Sequence, residues 1–322
     1  MNKIKQKGFV LFIYSVLTVL VLAACAAEEN GLEEEPNDDE ANENAAAEQE
    51  SSSEWPEELV MGVIPAEDQT SVSPRVEQFG DELGEELEIE VDVFMGSNYN
   101  AVIEGMNNEH VDIAFFGPFA YTLANERSGA EVFAIGAESE DDITYQSAFI
   151  VPADSEAEDI SDLEGQDFLF VDPASTSGHI FPRSSVIDEI GITNEEVDSY
   201  FGNISFSGSH DASILSVING DVDGAGIATD VMDAMIAQGQ VDEDDFKIIH
   251  ASDDIPRGPD AYRGDLPEDL KEEIREFYYA YEDEQFFEER GITGFYPSED
   301  ADYDIVRQTS EDLGMSPEEL LE

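Results

Sequence analysis

From Glu58 onward, short apolar runs alternate with longer stretches of helical spacing, and this rhythm constrains the fold more than any other feature of the chain. "EELVMGVIP", "IEVDVFMG", "VDIAFFGP", "EVFAIGAES" and "TYQSAFIVPADS" read as strands. Between them, "SVSPRVEQFGDELGEEL", "NYNAVIEGMNNEH" and "PFAYTLANERSG" carry apolar residues three and four apart, as a half-buried helix requires. Pro118 suits a first helical turn and Gly129 a helix end. The second half repeats the pattern: "QDFLFV" is a strand, residues 178–191 a helix ending at Gly191, "ISFSGSH" a strand and "DASILSVINGD" a helix. "VDGAGIA" is a further strand, "TDVMDAMIAQGQ" a helix and "DFKIIHASDDIP" the last clear strand, while the tail (267–291 and 302–314) reads as helical. Such alternation predicts an α/β architecture with mostly parallel sheets. Right-handed crossovers then gather the strand-to-helix loops on one edge, where ligands bind.

The start of the chain does not fit this pattern. "MNKIKQKG" is basic, "FVLFIYSVLTVLVLA" is apolar, and "LAAC" follows at 22–25, which reads as a targeting segment over residues 1–24. The small residues before Cys25, the chain's single cysteine, resemble a bacterial lipobox. That resemblance implies cleavage before Cys25, lipidation there, and a protein anchored on the extracellular face of the membrane. An ordinary signal peptide or signal anchor is the other reading of the same residues. One cysteine excludes an intrachain disulfide. Residues 25–54 are acidic with almost no apolar content and cannot bury enough surface to fold, so they read as a tether.

The chain carries 78 acidic and 13 basic side chains, for a net charge of −65. Nucleic-acid binding needs a basic footprint and is excluded as a function. In molar salt the Debye length is roughly 3 Å, so self-repulsion is nearly screened, and the surface reads as adapted to salt.

One loop runs against this composition. "DPASTSGHI" (172–180) places Ser175, Thr176, Ser177 and Gly178 between a strand and a helix. A helix start offers free backbone N–H groups and a positive dipole end, and hydroxyls add rotatable donors. The stretch therefore suits a tetrahedral oxyanion held by hydrogen bonds without net positive charge. Taken alone it also suits a plain helix cap. It is no P-loop, since the lysine and its spacing are missing. "FFGPFAY" sets Gly117 and Pro118 at a second helix start with the same two readings.

Five segments, in order, resemble the substrate-binding protein of phosphate/phosphite/phosphonate ABC transporters: residues 98–121, 144–155, 162–179, 208–226 and 253–274. The resemblance implies a two-lobed periplasmic-binding-protein fold of type II, an α/β architecture that closes on its ligand about a hinge. It implies lobes of residues 55–148 with 256–322, and of 149–255. Ser175, Thr176 and Ser177 match the hydroxyl run that grips the phosphorus oxygens. His210, in "GSHD", matches a histidine donating to the same group, and Tyr99 and Tyr145 match tyrosines from the other lobe and the hinge. Relatives that take aminoalkylphosphonates hold the ammonium with cleft carboxylates. Asp230 aligns with one of these; Gly258 stands where the other is expected. The resemblance thus favours phosphate, phosphite or a small uncharged phosphonate over 2-aminoethylphosphonate. Arg257 reads as a solvated arginine.

The implied partners are the ABC permease with its ATPase, and the membrane through the lipid anchor, with the receptor itself a monomer. No cofactor or metal is implied, and no enzyme: GxSxG and HExxH are absent, and the four histidines lack metal-ligand spacing. Other ligands of related two-lobe proteins (sulfonates, pyrimidine-like compounds, ferric ion) and a sensory receptor are the competing readings. "FYYAY" (277–281), similar to paired iron-binding tyrosines, reads as part of a structural helix.

Overall fold

The computed structural model describes residues 55–66 and 73–315. Local chemistry sets where its elements start and stop. Ser73 accepts from the Arg75 N–H at 3.1 Å and Pro74 fills the first helical position, so α1 (Pro74–Leu87) begins there. Phe79, Leu83 and Leu87 then recur at four-residue steps and form the buried stripe of that helix. Helix α3 (Pro118–Ser128) ends at Gly129, and α4 (Phe181–Ile190) at Gly191, both left-handed at φ 65 and 77. Glycine takes that conformation without the Cβ clash other residues incur.

The first sheet has six strands. Its order is β13 (Gly294–Pro297), β4 (Glu131–Ala137), β12 (Pro259–Tyr262), β3 (Ile113–Phe115), β1 (Glu58–Val63), β2 (Glu90–Met95). The second has five: β10 (Phe246–Ala251), β6 (Ser147–Pro152), β9 (Gly224–Ala228), β7 (Asp167–Phe170), β8 (Asn203–Phe206). Two short strands link the lobes. In them β5 (Thr144–Tyr145) pairs antiparallel with β11 (Ile255–Pro256), so the chain crosses once in each direction at one narrow hinge. The architecture is the expected two-lobed α/β fold.

Its sheets are mixed rather than mostly parallel, which corrects that part of the expectation. Strands joined through helices do run parallel, as in β1–β2, β1–β3, β7–β8 and β7–β9. Strands delivered by the hinge run the other way. β12 inserts antiparallel between β3 and β4, and β6 lies antiparallel to both β9 and β10. Two further strands, β12 and β13, lie outside the stretches read as helical, each four residues long with a proline at one end. The tail supplies α8 (Glu268–Ala280), α9 (Glu284–Arg290) and α10 (Asp304–Asp312). Helix α5 (Asn194–Tyr200) was likewise not anticipated.

One face of the first sheet packs on α1, α8 and α9, where Phe79 meets Tyr278 edge-on and stacks on Phe286. The aromatic pair of "FYYAY" therefore serves the core: Tyr278 is buried there and Tyr279 faces out. The opposite face packs on α2 (Tyr99–Asn107) and α3, and that core is continuous with α6 (His210–Ile218) and α7 (Thr229–Ala237) beside the second sheet.

Candidate functional site

Most of the site residues reach the cleft between the sheets at a helix start, the exception being Tyr145 on the hinge strand β5. Tyr99 opens α2, Pro118 opens α3, His210 opens α6, Asp230 lies in the first turn of α7, and Thr176 opens a single π-helical turn (Thr176–Ile180) ahead of α4. These are the strand-to-helix loops, and their N–H ends supply positive potential inside an acidic protein. Tyr99, Tyr145, Ser175, Thr176, Ser177, His210 and Asp230 line a single cavity of about 790 Å³. Cys25 lies outside the described residues.

Glycine makes the hydroxyl turn possible. A Cβ on Gly178 would stand 2.4 Å from Val171 Cγ2 and 2.8 Å from Ser175 Oγ, distances no side chain tolerates. Without one, the Gly178 N–H reaches Ser175 Oγ at 3.1 Å and the Val171 N–H reaches the Gly178 carbonyl at 2.9 Å. Ser147 Oγ, on β6, donates to the Ser177 carbonyl at 2.7 Å and pins the turn to its sheet.

The hydrogen-bond directions decide what the site can offer. His210 Nδ1 accepts from the Ala228 N–H at 3.0 Å, so the neutral ring carries its proton on Nε2, 3.5 Å from Ser175 Oγ. Burial lowers the His210 pKa to about 3, which keeps the ring neutral. Ser175 Oγ already accepts from Gly178, and Thr176 Oγ1 accepts from the Phe119 N–H at 2.8 Å. One acceptor position is thus filled on each of these two hydroxyls, and each keeps a hydrogen that it can donate. Tyr145 hydrogen-bonds the hydroxyls of Ser177 and Thr176. Its own phenol is raised well above its ordinary range, first by burial and then by the Asp230 charge.

Several of these bonds cross the cleft. The Phe119–Thr176 bond joins α3 to the turn before α4, the His210 N–H donates to the Ala66 carbonyl at 2.9 Å, and the Tyr99 N–H donates to the Asp172 carboxylate. The two lobes are in contact through these bonds.

Arg257 is not the solvated side chain that the sequence suggested. Its guanidinium sits 3.6 Å from Asp230 and 3.2 Å from Asp142, with only 14% of the side chain exposed. It therefore neutralises the cleft carboxylate, Asp230, whose pKa is nonetheless raised, mainly by burial. At Gly258 a Cβ would lie 2.5 Å from the Phe116 carbonyl and 3.1 Å from the Phe115 ring, so no carboxylate side chain fits this backbone. Asp172, the Phe119 N–H and Arg257 are the parts that sequence reasoning missed. Only the proline–glycine start of α3 hinted at one of them.

A model of the family described as "ABC transporter, phosphonate, periplasmic substrate-binding protein" matches residues 61–303. The chain belongs to this family. Members of the family are transporter components and not enzymes, and they work outside the cytoplasm. Among curated relatives, the phosphate-import protein PhnD of Mycolicibacterium smegmatis is 32% identical over 81% of this chain and 87% of its own. The phosphonates-binding periplasmic protein of Escherichia coli is 28% identical over 78% and 75%. Among solved structures, a binding protein of a phosphonate transporter from Pseudomonas aeruginosa superposes with a TM-score of 0.71 at 25% identity, covering 79% of this chain and 85% of the other. PhnD1 of Prochlorococcus marinus, solved with methylphosphonate, superposes at 0.72 with 22% identity, over 81% and 99%, and so shares the fold.

Proposed function

We propose that this family member is a lipid-anchored receptor that binds a phosphorus oxyanion (phosphate, phosphite or a phosphonate) and passes it to a membrane permease. The observation that carries this reading is the convergence of the Ser175, Thr176 and Ser177 hydroxyls and the His210 Nε2–H on one cavity, with a backbone N–H already held by Ser175 Oγ, Thr176 Oγ1 and His210 Nδ1. A fully ionised oxyanion offers only acceptors, so it complements such a surface. Charge-assisted bonds of this kind are worth about 1.5–3 kcal/mol each, and more as closure excludes water. Tyr99 and Tyr145 cap the ligand. Asp230, tied to Arg257, offers little to an ammonium tail. Phosphate import by the mycobacterial relative is in keeping with this preference.

The division we propose is a leader of residues 1–24, a tether of 25–54, one lobe of 55–148 with 256–322, and a second lobe of 149–255. Cys25 would carry the lipid, and two acyl chains suffice for stable attachment. Thermal unfolding of the protein with and without phosphate, phosphite, methylphosphonate or sulfate tests the ligand class. At one hundred times Kd, binding adds about 2.7 kcal/mol, and the midpoint rises by several degrees. A rise with sulfate and none with the phosphorus compounds would overturn the reading. Changing Cys25 to Ser should release the protein from membranes without altering affinity; retention on the membrane would mean an uncleaved anchor.

A further inference from the structure

The cavity is far larger than a bare phosphate needs, and its wall continues past the hydroxyl turn. The lining includes Tyr145, Asp230, Arg257, Gly258, Phe115 and Arg290, with Arg257 beside Asp230 and Arg290 over the Phe115 ring. Gly258 packs closely on this wall: a Cβ there would lie 2.5 Å from the Phe116 carbonyl and 3.1 Å from the Phe115 ring. Three arginines line the cavity, and two are neutralised: Arg257 by Asp142 and Asp230, Arg75 by Asp283 and Glu289 at 3.9 and 3.8 Å. Arg290 has no hydrogen-bond or ion-pair partner among the described residues. Its guanidinium lies 4.7 Å from the Phe115 ring centroid and 5.4 Å from that of Phe286. The rings attract the guanidinium through their faces, and its N–H fork remains available to a planar anion.

Two bland roles account for it less well. An arginine in the last turn of α9 suits the helix dipole, yet a dipole contact does not need two aromatic faces. Asp260 feels the Arg290 charge, but it is not within ion-pair distance. Its Oδ2 lacks any hydrogen bond, and burial raises its pKa to about 7 although the Arg290 charge works to lower it. Of the other carboxylates of the cavity, Asp233 feels the charges of Arg257 and Glu138, and Glu289 is tied to Arg75.

We propose that Arg290 forms a second anion subsite in the cleft, so that the preferred ligand is a phosphorus oxyanion bearing a second anionic group, of the phosphonocarboxylate class. This inference rests on the phosphorus-oxyanion reading above and adds the chemistry of the ligand's far end. The phosphorus group would take the hydroxyl turn and His210, and the carboxylate the Arg290 fork.

The test is calorimetric titration of the full chain in molar potassium chloride, where the global negative field is screened. The probes are methylphosphonate, phosphonoacetate, 3-phosphonopropionate and 2-aminoethylphosphonate, against wild type, R290Q and R290K. One of the two phosphonocarboxylates should bind at least tenfold tighter than methylphosphonate. R290Q should abolish that advantage and leave methylphosphonate within twofold of wild type, which also reports an intact fold. R290K should keep part of the advantage. Equal affinity for methylphosphonate and both phosphonocarboxylates in wild type would overturn the subsite while leaving the phosphorus-oxyanion reading standing. So would an R290Q effect shared equally by all ligands. No heat with any of the four would overturn both.

Discussion

Replacing His210 separates its two nitrogens, because each has a different partner. Nδ1 holds the Ala228 N–H at 3.0 Å, and Nε2–H faces Ser175 and the cavity. His210→Asn keeps an acceptor near the Nδ1 position and removes the outer donor. It should cost about 1.5–3 kcal/mol of affinity, or roughly 10- to 150-fold in Kd, with little loss of stability. His210→Phe removes both. The orphaned Ala228 N–H should then cost a further ~1–3 kcal/mol of folding free energy. Protonation supplies the sharper test. Burial lowers the ring's pKa to about 3, and lifting it to 7 on ligand binding would take on the order of 5 kcal/mol. That exceeds what one charge-assisted bond provides, so His210 stays neutral in the complex. Titrations from pH 5 to 8 should give a wild-type to His210→Asn affinity ratio that does not change with pH. A ratio falling tenfold per pH unit anywhere in this range would refute the neutral donor. One proton taken up per ligand at pH 7, lost in the variant, would refute it as well.

Thr176→Val leaves the buried Phe119 N–H without its acceptor and removes a cleft donor, so ligand affinity should drop about 10-fold or more while Thr176→Ser stays near wild type; equal effects of the two would mean the cross-lobe bond is unimportant. Asp260 titrates upward on folding, from 3.8 to about 7. Between those values the folded chain holds a proton that the unfolded chain has lost, so this group's contribution to stability is full below 3.8 and declines as pH rises toward 7. Denaturant melts should therefore show Asp260→Asn gaining on wild type by about 1.4 kcal/mol per pH unit from 4 to 7 and levelling off above; a constant difference would mean the carboxyl is ionised throughout.

Much of the fold was legible because it is local. The strand-to-helix rhythm located β1 to β4 and α1 to α3, and Gly129 and Gly191 marked helix ends from sequence alone. Strand direction was not legible, because it depends on which chain segment crosses the hinge, and β12 meets β3 from far along the sequence. The cleft followed the same division. Ser175, Thr176 and Ser177 stand together in the chain, so their shared role could be read. His210, Tyr99, Tyr145 and Asp230 required the family resemblance, since each alone looks like an ordinary core or surface residue. Arg257 misled, because an arginine beside a glycine and prolines resembles any loop cation. Its partners Asp142 and Asp230 come from two other segments. Arg290 carried no sequence signal at all. Its two aromatic neighbours are Phe286 in its own helix and Phe115 on β3, and only the second brings it to the cavity wall.

The most direct test of the account is a crystal structure of the protein with its tightest-binding phosphorus compound. The account predicts phosphorus oxygens about 2.5–3.0 Å from the hydroxyls of Ser175, Thr176 and Ser177 and from His210 Nε2, with Tyr99 and Tyr145 closing over them. A phosphorus atom bound elsewhere, with those hydroxyls facing only water or each other, would contradict it.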